Sequence, residues 1–519
     1  VHFASDGVIY GNTNENVSLA LGRLTALRFA EKEKIEELLN VASGTLKHEV
    51  ASMSVAAEEL MREAQRTFIN GVPERLTILR GWLHPRIEKD YYDMVYHALV
   101  NAYDTHPKRE LRIQAVEELI DSGKLGERLW LRSVLYKMKK DELAKPGKWP
   151  RMIGDLGVAA SLQGFYVTDA LKGAMASEPL RYKGFEIEFV KAPKQDALTR
   201  VFEKLLNPPG NGYIALFSDD SCASVRLSDG RVAYGNLDIS SCDASHTDSI
   251  FEFLVAVAPP HMQDDIRRLV EQCRLPIKIR DVNMWTRFVR LVNKNKEAAL
   301  YSGSTLTTFI NNLANILIAM SVAEDYEVQQ PTTFQDLAIS ALKVGYVVTC
   351  EEAQIPEDIQ FLKFSPVIDT NGNMQPMLNL GVLLRASGCS KGDVPGPKGI
   401  SLEERAAVFQ KAVLRGMYPY CDFQLLTELR RHCDTKTSIA SVEAYAKKHL
   451  PYTIAEMRGE GHHQTYQVDN VALARRYRLK DSELLELELL VREAGYGYQI
   501  QCAAVDKILR LDYGLRSEF

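Results

Sequence analysis

Apolar positions recur at helical spacing through residues 14–120, where Leu19, Leu21, Leu24, Leu27 and Phe29 begin one amphipathic face and Val55, Leu60 and Met61 mark another. Nothing in that stretch carries obvious chemistry, so it reads as scaffold. Near residue 213 the period shortens to that of strands. Residues 213–217 are an apolar run, Ser218-Asp219-Asp220 a tight turn, and 222–227 a return strand that alternates small or polar with apolar positions. Asp229-Gly230 makes a second turn and 231–239 a third strand. Helical spacing returns over 306–317 and 333–343, followed by short strands at 345–349 and 361–363. Residues 393–399, Asp-Val-Pro-Gly-Pro-Lys-Gly, form the clearest linker. A capping box at Ser401 and Glu404 then opens a helical C-terminal region, whose last strong helix, 482–494, is closed by Gly495.

A chain of 519 residues is too long for one simple core, so several subdomains are expected. The eight cysteines are scattered with no Cys-x-x-Cys spacing, which argues against zinc and a disulfide framework and fits a reducing, intracellular location. A net charge of −5 excludes a uniformly basic nucleic-acid coat but leaves room for a local basic channel. Neither a membrane-spanning apolar run nor a signal peptide is expected, and the first residue, Val, points to a processed or trimmed chain.

The chemistry concentrates in the strand-rich centre. Asp219 and Asp220 stand on a hairpin turn, with Asp238 near the end of the third strand and Asp243 just beyond it. Such carboxylates can hold two Mg²⁺ ions roughly 3.5–4 Å apart, and a solvated hairpin tip is the competing reading. The same dipeptide at Asp264-Asp265 is read as a helix start, where acidic groups are favoured without a metal. From 132 to 151 the charge turns basic, with Lys145, Lys148 and Arg151 on a stretch that prolines 146 and 150 keep extended. A solvated charge run and a polyphosphate site both suit it. Lys278, Arg280, Arg287 and Arg290 interleave with Trp285 and Phe288, either to track a single strand or to face solvent. Tyr301 opens Ser302-Gly303, a flexible loop, before a helix on which Thr307 and Asn311 share one face, as local caps or as ligand contacts. Asp369–Asn373 is read as a hairpin turn rather than a calcium loop, and His462-His463 as surface loop.

Together these residues resemble the motifs of viral RNA-dependent RNA polymerases. Asp238-x4-Asp243 resembles motif A, and Ser302-Gly303-x3-Thr307-x3-Asn311 resembles motif B. Ser218-Asp219-Asp220 is similar to the Gly-Asp-Asp of motif C, with Ser for Gly. Residues 148–153 resemble the basic motif F, and Phe361-Leu362-Lys363 the primer-gripping motif E. The matches span about residues 145–363, and C precedes A, an order that resembles the permuted palm of birnaviruses and permutotetraviruses. The alternative hairpin in the usual order would be Cys350-Glu351-Glu352, but Pro356 follows where a return strand should begin. Lys343 is the nearest candidate for the general acid of motif D, several residues out of register.

The resemblance implies an α+β right-hand polymerase. Its parts would be a helical N-terminal extension (1–130), fingers with the motif F loop (131–200), palm (201–252), a fingers insertion (253–300), palm again (301–392) and a helical thumb (393–519). It implies template-directed RNA synthesis from NTPs with Mg²⁺ or Mn²⁺. Asp219, Asp238 and Asp220 would be metal ligands, and Lys145, Lys148 and Arg151 would hold the triphosphate. Asp243, Ser302, Gly303, Thr307 and Asn311 would bind the nucleotide ribose. RNA template and product, NTPs and other viral replication or capsid proteins are the implied partners, in host cytoplasm or inside a virion. A reverse transcriptase and a non-catalytic RNA-binding scaffold are the rival readings.

Overall fold

The computed structural model describes residues 1–3, 8–21, 55–87, 133–139, 142–144, 150–191, 195–284, 288–291, 297–389, 393–396, 399–433, 439–449, 464–495 and 497–515, with a few isolated positions besides. The fold is mixed α+β. The elements that position the site are, in chain order, α1 (Val55–Gly71), β1 (Val134–Met138), β2 (Met152–Asp155), α2 (Val158–Ser177), β3 (Leu180–Tyr182), β4 (Phe185–Phe189), α3 (Gln195–Leu206), β5 (Gly212–Phe217), β6 (Asp220–Arg226), β7 (Val232–Ile239), α4 (Cys242–Ser245), α5 (Asp248–Val257), α6 (Pro260–Gln272), β8 (Ile277–Arg280), β9 (Phe288–Leu291), α7 (Thr307–Val328), α8 (Leu337–Lys343), β10 (Val348–Glu352), β11 (Phe364–Ile368) and β12 (Met374–Leu378).

The central sheet has six strands in the order β10-β7-β6-β5-β4-β3. Only the β4–β5 pair is parallel. Strand β5 shows why its sequence is an unbroken apolar run. Tyr213 and Ala215 point to one face, where they meet Val201, Phe202 and Leu205 of α3. Ile214 and Leu216 point to the other, into the main core with Leu313, Ile316, Leu317 and Met320 of α7. A strand covered by helices on both faces has no side to turn to water, so its alternation disappears. Helix α7 is buried along most of its length, and its apolar spacing carries it past the expected end at 317 to Val328.

A second, four-stranded sheet runs β9-β8-β1-β2. A separate core gathers helices of the C-terminal region, where Leu402–Met417, Gln424–His432, Asp481–Glu493 and Ala503–Tyr513 enclose Leu425, Leu484, Leu487 and Ile508. Of the predicted capping box the Ser401 half is formed, with Ser401 Oγ accepting from the Glu404 amide at 3.2 Å. Among the described residues, no helix is long and apolar enough to cross a membrane.

Three local expectations differ from the structure. Asp264 and Asp265 are not at a helix start, because Pro260 begins α6 one turn earlier; they pair with Arg267 and Arg268 at 2.6 and 2.9 Å. The strand expected at 345–349 is β10, shifted to 348–352 because Gly345, at φ 85°, is still turning out of α8. Phe361-Leu362-Lys363 is not a strand but a two-residue reversal. Phe361 and Phe364 exchange backbone hydrogen bonds of 2.9 Å, and Leu362 and Lys363 take φ of 54° and 68°. His462, His463, Trp285 and Arg287 lie outside the described residues.

Candidate active site

The acidic tip is built by register. Phe217 and Asp220 close the β5–β6 ladder, which leaves a loop of two residues, Ser218 and Asp219, tighter than the sequence suggested. Ser218 takes a left-handed φ of 55°, costly for a residue with a Cβ. Three asparagines of α7 hold it there. The Ser218 amide donates to Asn312 Oδ1 at 2.6 Å, its carbonyl accepts from Asn315 Nδ2 at 2.6 Å, and its hydroxyl accepts from Asn311 Nδ2 at 3.2 Å. At about 0.5–1.5 kcal/mol each, three such bonds offset a strained residue costing about 1–3 kcal/mol.

On the next strand, Asp238 stands directly opposite Asp220 in the β6–β7 ladder, so their side chains leave the same face of the sheet. Asp219 follows at the tip. Burial first, then the charges of Asp219 and Asp238, push Asp220 up to about 6, although the Leu362 amide donates to its Oδ2 at 3.1 Å. Asp219 reaches solvent at the tip, yet the protein packed against its carboxylate raises its pKa, as do Asp243 and Asp238, against the opposing pull of Arg151.

Asp243 lies in the one-turn helix α4 and is held by both parts of the Tyr301–Asn311 segment. Ser302 Oγ donates to its Oδ2 at 2.9 Å and Asn311 Nδ2 to its Oδ1 at 3.1 Å. The Thr307 hydroxyl donates back to the Tyr301 carbonyl at 3.2 Å, so it serves the start of α7. Gly303 has φ 98°, and a Cβ there would lie 2.5 Å from the Gly154 carbonyl oxygen. Gly154 in turn leaves no room for a side chain against the Tyr301 ring, and its amide donates to the Ser302 carbonyl at 2.7 Å. Two glycines thus let β2 lie against the loop. Arg151 immediately precedes β2 and pairs with Glu142, Nε to Oε1 2.5 Å. Lys145 and Lys148 lie outside the described residues.

Behind this layer is a buried group that sequence reasoning missed. His246 Nε2 lies 2.7 Å from Asn311 Oδ1, and its Nδ1 lies 2.9 Å from the Tyr346 hydroxyl. The Cys242 thiol donates to the same Asn311 oxygen at 3.3 Å. Donor atoms of Cys242, Asp243 and His246 lie within 4.8 Å of one another, a grouping that could hold a metal ion. Burial, followed by the charge of Asp243, raises the Cys242 pKa well above its usual value, which keeps the thiol protonated. Asn312 and Asn315 were also missed, although two more amides in an otherwise apolar helix were a legible signal. His246 gave none, because its partners are 65 and 100 residues away.

Other candidates stand apart from the tip. Glu351 and Glu352 lie on edge strand β10, opposite Asn236 and Gly235, while Thr349 is opposite Asp238. Glu352 faces Arg231 at 3.5 Å. Lys343 pairs with Asp325 at 2.7 Å. Lys278 lies over the Phe288 ring, 3.9 Å from its centroid. From the 361–363 reversal, the Leu362 amide donates to Asp220 Oδ2 at 3.1 Å. Asp369 closes its predicted turn, its Oδ1 accepting from the Asn371 and Asn373 amides at 2.9 Å. No protein-family model matches the chain, and no curated protein matches it.

Proposed function

We propose that this chain is an RNA-dependent RNA polymerase of the right-hand type with a permuted palm, adding ribonucleotides to an RNA 3′ end under the direction of a template. The observation that carries the reading is the convergence of Asp219, Asp220 and Asp238 at one end of the central sheet, beside Asp243 and Asn311. Hairpin and neighbouring strand meet there although the acidic dipeptide precedes Asp238 in the chain.

The donor set fits Mg²⁺. It offers hard carboxylate oxygens, and the burial and neighbouring negative charges that raise Asp219 and Asp220 are what a divalent cation offsets. Asp219 and Asp238 would hold the ions, with Asp220 assisting; when bound, they lower the pKa of the attacking hydroxyl and neutralise charge on the triphosphate and leaving pyrophosphate. Asp220 also anchors the strained Leu362–Lys363 turn through the Leu362 amide, which places the proposed primer-gripping reversal against the acidic centre. Arg151, at the mouth of β2 and close enough to act on Asp219, would clamp the triphosphate by bidentate hydrogen bonds on leaving Glu142. Asp243, oriented by Ser302 and Asn311, would accept the ribose 2′-hydroxyl, the group that separates RNA from DNA substrates.

Extension of a primed RNA template with NTPs and Mg²⁺ tests the reading. Wild-type chain should extend the primer, whereas Asp219→Ala and Asp238→Ala should fall to background and still bind RNA, whose affinity comes from basic groups elsewhere. Near-normal elongation by either variant would sink the proposal.

A further inference from the structure

Asn311 can orient Asp243 only if its amide faces the right way, and the groups behind it decide that. A carboxylate accepts and does not donate, so the Asn311 atom 3.1 Å from Asp243 Oδ1 is the NH₂ group. The amide is planar, so its oxygen points the other way, to His246 Nε2 at 2.7 Å and Cys242 Sγ at 3.3 Å. That oxygen needs donors. The Cys242 thiol is one, and His246 must carry its proton on Nε2 to be the other. A neutral imidazole then has a bare Nδ1, and the atom facing it at 2.9 Å is the Tyr346 hydroxyl, which donates. Hydrogen bonds therefore run in one direction, from Tyr346 to His246 to Asn311 to Asp243 and the Ser218 hydroxyl. His246 and Tyr346 are fully buried and Asn311 nearly so, so water cannot substitute for a missing member. Reversing the His246–Asn311 link would turn the Asn311 carbonyl toward the Asp243 carboxylate, acceptor against acceptor.

We propose that His246 is the positioning residue for ribose recognition: without touching the nucleotide, it fixes which end of the Asn311 amide faces Asp243, and thereby the preference for ribonucleotides. The role rests on the polymerase reading above, whereas the hydrogen-bond direction does not.

Two measurements test it. The first compares kcat/KM for NTP and for dNTP incorporation in wild-type, His246→Phe and His246→Gln proteins. Phenylalanine fills the space without a donor, so the NTP-over-dNTP preference should fall by about tenfold, mostly through loss of NTP incorporation. Glutamine returns an N–H donor near the Nε2 position and should restore most of the preference. Equal loss for NTP and dNTP, or an unchanged ratio, overturns the role. Should His246→Phe fail to fold, Tyr346→Phe removes the hydroxyl that faces His246 Nδ1 and should shift the ratio in the same direction by less; an unchanged ratio there also overturns it. The second measurement is nitrogen NMR of histidine-labelled wild-type chain. It should show His246 neutral with the proton on Nε2, and a protonated Nδ1 or a metal-bound ring would overturn the direction of the chain. A protein that adds neither nucleotide overturns the polymerase reading and the ribose role together, while the NMR signal still decides the orientation of Asn311.

Discussion

The carboxylate of Asp220 is shared between a cluster of like charges and one backbone amide, that of Leu362. Its pKa, pushed up to about 6 by burial and then by Asp219 and Asp238, lies above the value of about 3.9 expected in the unfolded chain. A group with a raised folded pKa holds its proton more tightly in the folded state. Its contribution to stability is therefore complete below about pH 4 and is lost as pH rises through about 6. Metal-free protein should accordingly lose stability over that window, and added Mg²⁺ should restore it above pH 6, as a ligand of the folded state does. Asp220→Asn keeps an acceptor for the Leu362 amide while removing the charge, so its metal-free unfolding midpoint should be flatter across the same range. Thermal melts from pH 4 to 8 with and without Mg²⁺ check this, and an identical slope in the variant would remove Asp220 as its source.

Between elements, the site depends on contacts far apart in sequence. Helix α1 contributes Gln65, fully buried, whose Oε1 accepts from the Thr247 amide at 3.0 Å and whose Nε2 donates to the Ser245 carbonyl at 3.3 Å. Gln65→Leu keeps the volume but leaves the buried Thr247 amide without that partner, which should cost about 1–3 kcal/mol in a denaturant unfolding experiment. Because Asp243 and His246 lie in or beside the same turn, nucleotide incorporation should fall as well. A stability equal to wild type would show that α1 does not hold this segment. Gly303→Ala should act from the opposite side. With φ 98° and the Gly154 carbonyl 2.5 Å from the new Cβ, the loop must move off β2. That should cost about 1–3 kcal/mol locally and displace Ser302 from Asp243, which would be seen as a raised KM for NTP. What the sequence made legible follows the same division. Asp219, Asp220, Asp238, Asp243, Ser302 and Asn311 stood out because chemistry-bearing residues interrupt strands and a helix start whose periods are short-range signals. The Phe361–Phe364 reversal did not, since Leu and Lys are poor markers of left-handed backbone and their conformation is held by a carboxylate 142 positions earlier. Gln65, His246 and Tyr346 were hidden for the same reason, because a buried polar residue announces its partner only once the chain is folded.

At the scale of the molecule, the proposed chemistry depends on which acidic residues occupy the end of the central sheet. Strand β6 lies between β5 and β7, so Asp219 and Asp220 meet Asp238 across one strand pair. Strand β10 is on the far side of β7, with Glu351 and Glu352 two and three positions further from the acidic end than Thr349, which faces Asp238. Chain order is then irrelevant to the chemistry, because adjacency in the sheet brings the carboxylates together. The most direct test is the Mg²⁺-dependent RNA-extension activity of Asp219→Asn and of the double variant Glu351→Gln, Glu352→Gln, measured side by side. Asp219→Asn should be inactive, and the double variant should keep most of its activity. Loss of activity in the double variant, with Asp219→Asn still extending RNA, would contradict this assignment.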